Sequence, residues 1–356
     1  MPSKVRVGVV GAGFIANSAH LPSYAELDRA ELVAVCDIIP ERAQAAAARY
    51  NIPYVFTDYR EMLAKADLDV VSVCTPNGTH AQITIDALAA GCNVLCEKPM
   101  ATTVADAEAM LAASRQSPGK LMIAYPRPFN PILQYAKGLL QTGTLGEIYH
   151  AKALAIRRRG VPTWGSYLDR DVQGGGPLVD IGSHSLHMTL WLADKFDAVE
   201  VLATCHNLIG RQGGFNPHGP WDPEQFTVED SAFGFIRFAD GSSVTLDASW
   251  ALHTEKEWGG SVLFGAKGGM EVFTIGRPDK PVVVYREEGG RLVDVVPDLE
   301  PRDPKSHHYR EIEFFVNECV LGGKEPLVKT EEALQVTKIL SAFYESAEKG
   351  QAVKLA

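Results

Sequence analysis

The chain has 356 residues, 46% of them apolar and 22% charged, the balance of a soluble globular protein too long for one hydrophobic core. A formal net charge of −10 argues against nucleic acid or an anionic membrane as a general partner. No apolar run approaches the ~20 residues that cross a bilayer, and the opening residues read as a strand without signal-peptide anatomy. The six cysteines (Cys36, Cys74, Cys92, Cys96, Cys205 and Cys319) show no paired metal spacing, so a reduced, cytoplasmic protein is expected.

Residues 5–10 are nearly all apolar, as in a strand buried on both faces. They lead directly into Gly11-Ala12-Gly13-Phe14-Ile15-Ala16, a G-x-G-x-x-A turn. The first glycine suits the tight turn, the second lets backbone approach a pyrophosphate, and the small last residue lets helix pack on strand. Pro22 requires the following helix to be short or kinked. A second strand over 31–36 ends in Asp37, about 20 residues on, where this fingerprint places a carboxylate for the adenosine ribose. Such a carboxylate repels a 2′-phosphate. Ile38 and Ile39 leave no adjacent arginine to receive one, so NAD is favoured over NADP. Arg42, in the next helix, is a basic group close enough to count among the cofactor-binding candidates.

Helix and strand then alternate: helix 40–50, strand 54–56, helix 59–66, strand 70–74, helix 79–90, strand 93–96, helix 102–117 and strand 121–125. In a parallel sheet of this kind the ligand lies beyond the carboxyl ends of the strands. Residues 11–16, Asp37, 75–80 and 97–99 all fall there. Taken alone, Thr75-Pro76-Asn77-Gly78 is a turn, His80 a helix cap and Lys98 a surface lysine.

Pro126, Pro128 and Pro131 mark a boundary, which gives a dinucleotide-binding domain over 1–125 and a second domain over 126–356. A helix over 132–141 precedes a strand-like stretch over 145–159 that ends in Arg157, Arg158 and Arg159. After Trp164 and Tyr167, Gly174-Gly175-Gly176-Pro177 opens an apolar-periodic helix reaching about 192. Asp180 and His184, at i and i+4, share one face of it, and His187 lies one turn further along that face. Strands dominate after 198, over 198–207, 227–238, 242–250, 261–265, 270–273 and 282–285. Asp240-Gly241 is a hairpin turn, and 208–224 a long loop suited to cover a site. Helices over 307–319 and 329–348 close an α/β chain: a Rossmann-type N-terminal domain, then a domain built on a mostly antiparallel sheet. Asp180 and His184 also suit a metal pair or part of a hydrolytic triad. No third ligand or Gly-x-Ser-x-Gly turn accompanies them, and no metal is expected.

Taken together, Gly11-x-Gly13-x-x-Ala16, Asp37, Thr75-Pro76-Asn77-x-x-His80, Glu97-Lys98-Pro99 and the run from Gly174 through Asp180-x-Gly182-x-His184 resemble a known family. It is the glucose–fructose oxidoreductase / inositol dehydrogenase / MocA family of NAD(P)-dependent sugar oxidoreductases, and the resemblance spans essentially the whole chain. It implies a C-terminal α/β domain whose large open sheet forms a homo-oligomer interface, dimeric or tetrameric. It also implies hydride transfer between the nicotinamide and a hydroxyl-bearing or keto carbon of a sugar, sugar derivative or cyclitol.

Carried onto this chain, Lys98 would hydrogen-bond the reacting oxygen and help move its proton, His184 would be the general acid/base, and Asp180 would orient or charge-tune it. Gly11, Gly13, Phe14, Ile15, Asp37, Thr75, Pro76, Asn77 and His80 would line the dinucleotide, with Glu97 beside the nicotinamide or its ribose and Arg127 shaping the site. Arg157, Trp164 and Tyr167 would flank the mouth of a carbohydrate or polyol site, rings for C–H faces and guanidinium for oxygens. Many members carry aspartate where this chain has His187, which is expected to be a hydrogen-bonded residue of the domain interface. Two alternatives accompany this reading: an NAD-dependent glycosidase that oxidises its substrate transiently, and a non-catalytic nucleotide or sugar sensor. Retention of Lys98, Asp180 and His184 argues against the sensor.

Overall fold

The structure, a computed structural model, describes residues 4–299 and 305–355. Among these, contacts group 4–130 with 305–334 as one unit and 131–299 with 335–355 as another.

In the first unit β1 (Val5–Val10), β2 (Ala30–Cys36), β3 (Tyr54–Phe56), β4 (Val70–Val73), β5 (Asn93–Glu97) and β6 (Leu121–Ala124) form one sheet in the order β3-β2-β1-β4-β5-β6. Every pairing is parallel. All residues of β4 and β6 are buried, which explains strands that, Ser72 apart, are apolar rather than alternating. The strand order reverses between β1 and β4, and the crevice at such a reversal is where doubly wound sheets bind ligands. The helix after β1 opens with π geometry over Ala16–His20, continues as α over Leu21–Glu26 and is short. Pro22 follows the π turn directly, and the missing N–H of a proline inside this continuous run is consistent with the departure from regular α geometry there. Helices Tyr59–Lys65 and Val104–Gln116 begin at Asp58 and Thr103, whose side chains accept from Arg60 N and Asp106 N at 2.8 and 3.1 Å.

A contiguous split after 125 does not anticipate the late segment of this unit. Helix His307–Phe314, extended by a π turn over Phe315–Val320, packs the Phe314 ring 5.4 Å from that of Phe129. Thr330 Oγ1 donates to Leu121 O at 3.1 Å, which ties the return of the chain to β6.

The second unit holds β7 (Ile148–Ile156), β8 (Ala198–His206), β9 (Ser231–Phe238), β10 (Ser243–Ser249), β11 (Trp258–Gly265), β12 (Gly268–Ile275), β13 (Val282–Glu288), β14 (Arg291–Val295) and β15 (Val353–Lys354). Their order is β14-β13-β12-β11-β7-β10-β9-β8-β15, antiparallel except for β7 with β10. Gly241, at φ 87°, makes the β9–β10 turn possible. On β8 and β9 burial alternates: Val201, Ala203 and Ile236 are buried, while Leu202 and Phe235, paired in register, are about half exposed. Helix Thr330–Lys349 covers the buried side, where a Cβ on Gly234 would come within 2.5 Å of the Phe343 ring.

The helix after the three glycines differs from a half-buried amphipathic one. It opens with a π turn over Leu178–Gly182, continues as α over Ser183–Ala193, and all of 183–193 except His184 is buried. It lies against β7 and β11, with Ser185 Oγ on Leu154 O at 2.9 Å and Thr189 Oγ1 on Ser261 Oγ at 2.6 Å. A helix buried all round carries little periodicity to read.

Candidate active site

At the carboxyl end of β1, Gly11 takes φ 90°, and a Cβ there would stand 2.6 Å from Cys74 O. No other residue fits. A Cβ on Gly13 would meet nothing within 4 Å, so this backbone faces open space, and Phe14 beside it is 69% exposed. Asp37 is turned onto the same loop: Oδ2 accepts from Ala12 N at 2.8 Å and Oδ1 from Ile39 N at 2.9 Å. Each carboxylate oxygen keeps lone pairs for ribose hydroxyls. Asn17 also closes the loop, donating to Ala12 O and Gly13 O at 2.8 and 2.9 Å; its only sequence signal is its place in the first helical turn. Ile15 is half-buried, and Arg42 stands exposed on helix Pro40–Tyr50. An open glycine backbone, a flanking carboxylate and a parallel-sheet crevice together fit a dinucleotide.

After β4, Thr79 Oγ1 donates to Thr75 Oγ1 and Pro76 O, both at 2.8 Å, and fixes the turn through half-exposed Thr75 and Asn77. The expected dinucleotide contact from the His80 side chain is corrected here. Its ring is fully buried, with both nitrogens on backbone carbonyls, so it acts on the turn and not on a ligand.

Glu97 is likewise turned inward. Oε1 meets His20 Nε2 at 2.7 Å, and Oε2 accepts the Lys98 backbone N–H at 3.2 Å. His20 continues to Ser72 Oγ at 3.2 Å, which Tyr24 OH meets at 2.8 Å. Burial pushes the Glu97 carboxyl up, but the His20 hydrogen bond and charge overcome it and hold the group below the usual carboxylate range. Glu311, on helix His307–Phe314, is buried without such a partner. Burial and the nearby Glu97 charge push its carboxyl well upward. Sequence reasoning missed His20 and Glu311, since nothing in local spacing connects them to Glu97. Lys98 is half-buried at the exit of β5, ahead of a cis Lys98–Pro99 bond, and Arg127 is half-buried in the turn after β6.

In the second unit Gly174 ends the short helix Arg170–Gln173 at φ 79°. The next two glycines answer to crowding: a Cβ on Gly175 would overlap Tyr344 OH, and one on Gly176 would stand 2.2 Å from Glu229 O. Glu229, missed in the sequence, clamps this loop. Both its oxygens accept from Gly176 N at 3.0 Å, and Oε1 also from Leu178 N at 3.1 Å and Tyr344 OH at 3.0 Å. Burial raises the pKa of this carboxyl, against the pull of those bonds.

Past the clamp, Asp180, Ile181 and His184 are the half-exposed positions among buried neighbours, so carboxylate and imidazole share the exposed side of the helix start. Asp180 Oδ2 accepts from Trp250 Nε1 at 3.0 Å. Trp250 sits in an aromatic cluster with Phe226, Trp221 and Tyr167. Through Tyr167 the cluster reaches Trp164, which is 39% exposed and meets His218 edge-on at 5.1 Å. The long loop folds onto this cluster: Asn216 pairs with both N and O of Val161, at 3.1 and 2.9 Å, and Trp221 Nε1 donates to Gly210 O at 2.7 Å. Arg157 and Arg159 brace local turns, Arg157 on Gly160 O at 3.0 Å and Arg159 on Arg158 O at 2.8 Å.

His187 is expected from the sequence as a hydrogen-bonded residue of the domain interface, on one helix face with Asp180 and His184. It lies in the core, its ring 6.2 Å from that of Phe196. Burial lowers its pKa from 6.5 to about 3. The unfolded chain therefore takes up a proton near pH 6.5 that the folded chain refuses, and stability falls as pH drops from 6.5 toward 3. The slope from this group approaches about 1.4 kcal/mol per pH unit. Denaturant unfolding of His187→Leu should show a weaker loss between pH 6.5 and 5 than the parent chain. Parallel losses in the two proteins would mean that the ring titrates inside the fold.

No group of three or more His, Cys, Asp or Glu able to hold a metal occurs among the described residues. No described helix is long and apolar enough to cross a membrane. Residues 5–125 match the family profile described as "Oxidoreductase family, NAD-binding Rossmann fold", and residues 137–355 its "C-terminal alpha/beta domain". The chain is 37% identical over 355 residues to a D-glucoside 3-dehydrogenase of Escherichia coli (strain K12), covering 99% of this chain and 98% of the relative. An aldose-aldose oxidoreductase from Caulobacter crescentus, crystallised with glycerol, superposes with TM-score 0.80 at 28% identity over 99% of this chain and 100% of that one. The WlbA dehydrogenase from Bordetella pertussis, in complex with NADH and UDP-GlcNAcA, does so at 0.78 and 26%, over 99% of each chain. With both domain profiles matched and a relative this similar along its whole length, the chain belongs to the glucose–fructose oxidoreductase / inositol dehydrogenase / MocA family of NAD-binding oxidoreductases.

Proposed function

We propose that the protein oxidises a ring hydroxyl of a sugar or sugar derivative, a glucoside above all, or reduces the matching ketone, with Lys98 and His184 carrying the proton. The full-length likeness to a D-glucoside 3-dehydrogenase carries this reading. The nicotinamide, when bound, supplies the hydride acceptor or donor. Lys98, at the carboxyl end of β5, donates a hydrogen bond to the reacting oxygen and stabilises its developing negative charge. His184 takes the hydroxyl proton, a task for which imidazole is suited near neutral pH. Asp180, steadied by the Trp250 indole, favours the imidazolium that results. Trp164 offers a ring to the C–H face of the sugar, and Arg157 donors to its oxygens.

The test is reduced-nicotinamide absorbance with NAD or NADP against a panel of alkyl and aryl glucosides, free aldoses and cyclitols. Turnover is expected with the glucosides and with NAD. A protein that binds cofactor and reduces none of it across the panel would overturn the reading. Cofactor choice rests on Asp37, and Ile38 beside it is 86% exposed, so an arginine there needs no repacking. Asp37→Ser combined with Ile38→Arg should raise the NADP-to-NAD ratio of kcat/KM by about 100-fold, by removing a repulsive carboxylate and adding a phosphate donor. Leu202 and Phe235 on the exposed side of β8 and β9 support association of copies through this sheet, which sedimentation velocity would detect.

A further inference from the structure

The His80 ring is fully buried at the start of helix His80–Ala89, and each of its nitrogens faces a backbone carbonyl oxygen. Nδ1 lies 2.8 Å from Pro99 O, and Nε2 lies 2.9 Å from Thr75 O. A neutral imidazole has one N–H and one lone pair. In either tautomer one of these contacts would set a lone pair against a carbonyl oxygen, out of water, where a mismatched polar pair is costly. The imidazolium donates to both. We propose that His80 is a buried imidazolium across the neutral pH range, and that it acts as a positioning residue holding the lysine-bearing end of β5 to the turn after β4.

The charges around the ring agree. Burial alone lowers its pKa, while the Cys96 sulfur on β5 and the two carbonyls raise it, to about 9 overall. Cys74, at the end of β4, is held as a neutral thiol by burial, and Glu97 is engaged by His20. On the helix that His80 opens, Asp86 accepts from Tyr59 OH at 2.7 Å. The neighbouring helix Val104–Gln116 carries Asp106, Glu108 and Arg115 at exposed positions. The ring's charge is thus met by the Cys96 sulfur and by two backbone carbonyls, and it pins together two segments that otherwise belong to separate strand ends. One of them ends in Lys98-Pro99, the other is the Thr75–Thr79 turn. The positioning half of the proposal rests on the hydride-transfer reading; the charge does not.

Neutron diffraction from deuterium-exchanged crystals near pH 7 reads the charge directly in the unaltered protein. Deuterons are expected on both Nδ1 and Nε2, and a single deuteron overturns the proposal. In solution, ¹⁵N-histidine spectra should show His80 protonated on both nitrogens and unchanged from pH 6 to 8. His80→Gln, a neutral replacement that cannot reach both carbonyls from one nitrogen, should lower kcat by about tenfold or more. It should also move the lysine-dependent limb of the kcat–pH profile upward by about half a unit, since a nearby cation is removed. A variant with the parent's kcat and profile overturns the positioning role. If the unaltered protein turns over no sugar, the hydride-transfer reading fails, and the ring's protonation state still decides this one.

Discussion

Lys98→Ala is expected to lower kcat by about 10³-fold or more while NAD binds within about threefold of the parent affinity. The asymmetry follows from where the residue sits. Its side chain leaves the carboxyl end of β5 half-buried, while its backbone N–H is held by Glu97 Oε2 at 3.2 Å, a bond that alanine keeps. Pro99 and Met100, which follow, are buried and anchor the segment. The surfaces expected to hold the dinucleotide are the Gly11–Ala16 loop, Asp37 and the Thr75–Thr79 turn, which have hydrogen bonds of their own: Ala12 N to Asp37, Asn17 to Ala12 O and Thr79 to Pro76 O. What alanine removes is a donor to the reacting oxygen and a carrier for its proton, both worth most in the transition state. Steady-state turnover on the best glucoside measures kcat, and quenching of protein fluorescence on titration with NAD measures the affinity. Turnover surviving at a tenth of the parent rate would remove Lys98 from the mechanism.

How far such residues could be read in advance depended on the range of the interaction that places them. Gly11, Gly13 and Asp37 were legible because a strand, a tight turn and a carboxylate at fixed spacing are local consequences of one βαβ unit. Helix Pro40–Tyr50 was legible to the residue, since proline opens it and Asn51, at φ 55°, closes it. Asp180 and His184 were legible as a pair, but the π turn that carries Asp180 was not. An i→i+5 turn leaves no mark on a sequence whose helix is buried over most of its surface. For the same reason the spacing set His187 on one face with Asp180 and His184, although it is fully buried and they are half-exposed.

The partners that hold the site come from far along the chain. Glu97 meets His20, and Gly176 meets Glu229, each across more than 50 residues of sequence. No periodicity connects such pairs, because hydrophobic pattern reports which side of an element is buried and never what it is buried against. The edge strands β14 and β15 were missed on other grounds. β14, Arg291–Val295, is largely exposed and carries charges at both Arg291 and Asp294, and β15 has only two residues. Neither offers the apolar alternation by which a strand is recognised.

Glu229→Ala should cost the second unit about 3–5 kcal/mol, a drop in Tm of about 10 °C for a body of this size. The carboxylate is buried, and removing it strands the N–H groups of Gly176 and Leu178 and the hydroxyl of Tyr344, each of which now has an acceptor at 3.0 or 3.1 Å. Leaving a buried donor unsatisfied costs about 1–3 kcal/mol. Water entering the space left by the side chain recovers part of that, which keeps the total below the sum. Glu229→Gln should cost less, about 1–2 kcal/mol, since its amide oxygen can serve the position of Oε1. Its NH₂ group then stands where Oε2 accepts from Gly176 N, so one donor faces another. Thermal and denaturant unfolding rank the three proteins. The glutamine variant carries the functional half of the argument, because it should remain folded while the glycine loop loosens. Asp180 and His184 lie in the turns directly after Leu178, whose N–H the clamp holds, so a looser loop spreads their orientations. A misplacement on that scale lowers kcat more than it raises KM when the residues act on the reacting atoms rather than on binding. A glutamine variant that is destabilised yet keeps the parent kcat would make Glu229 a support of the fold alone.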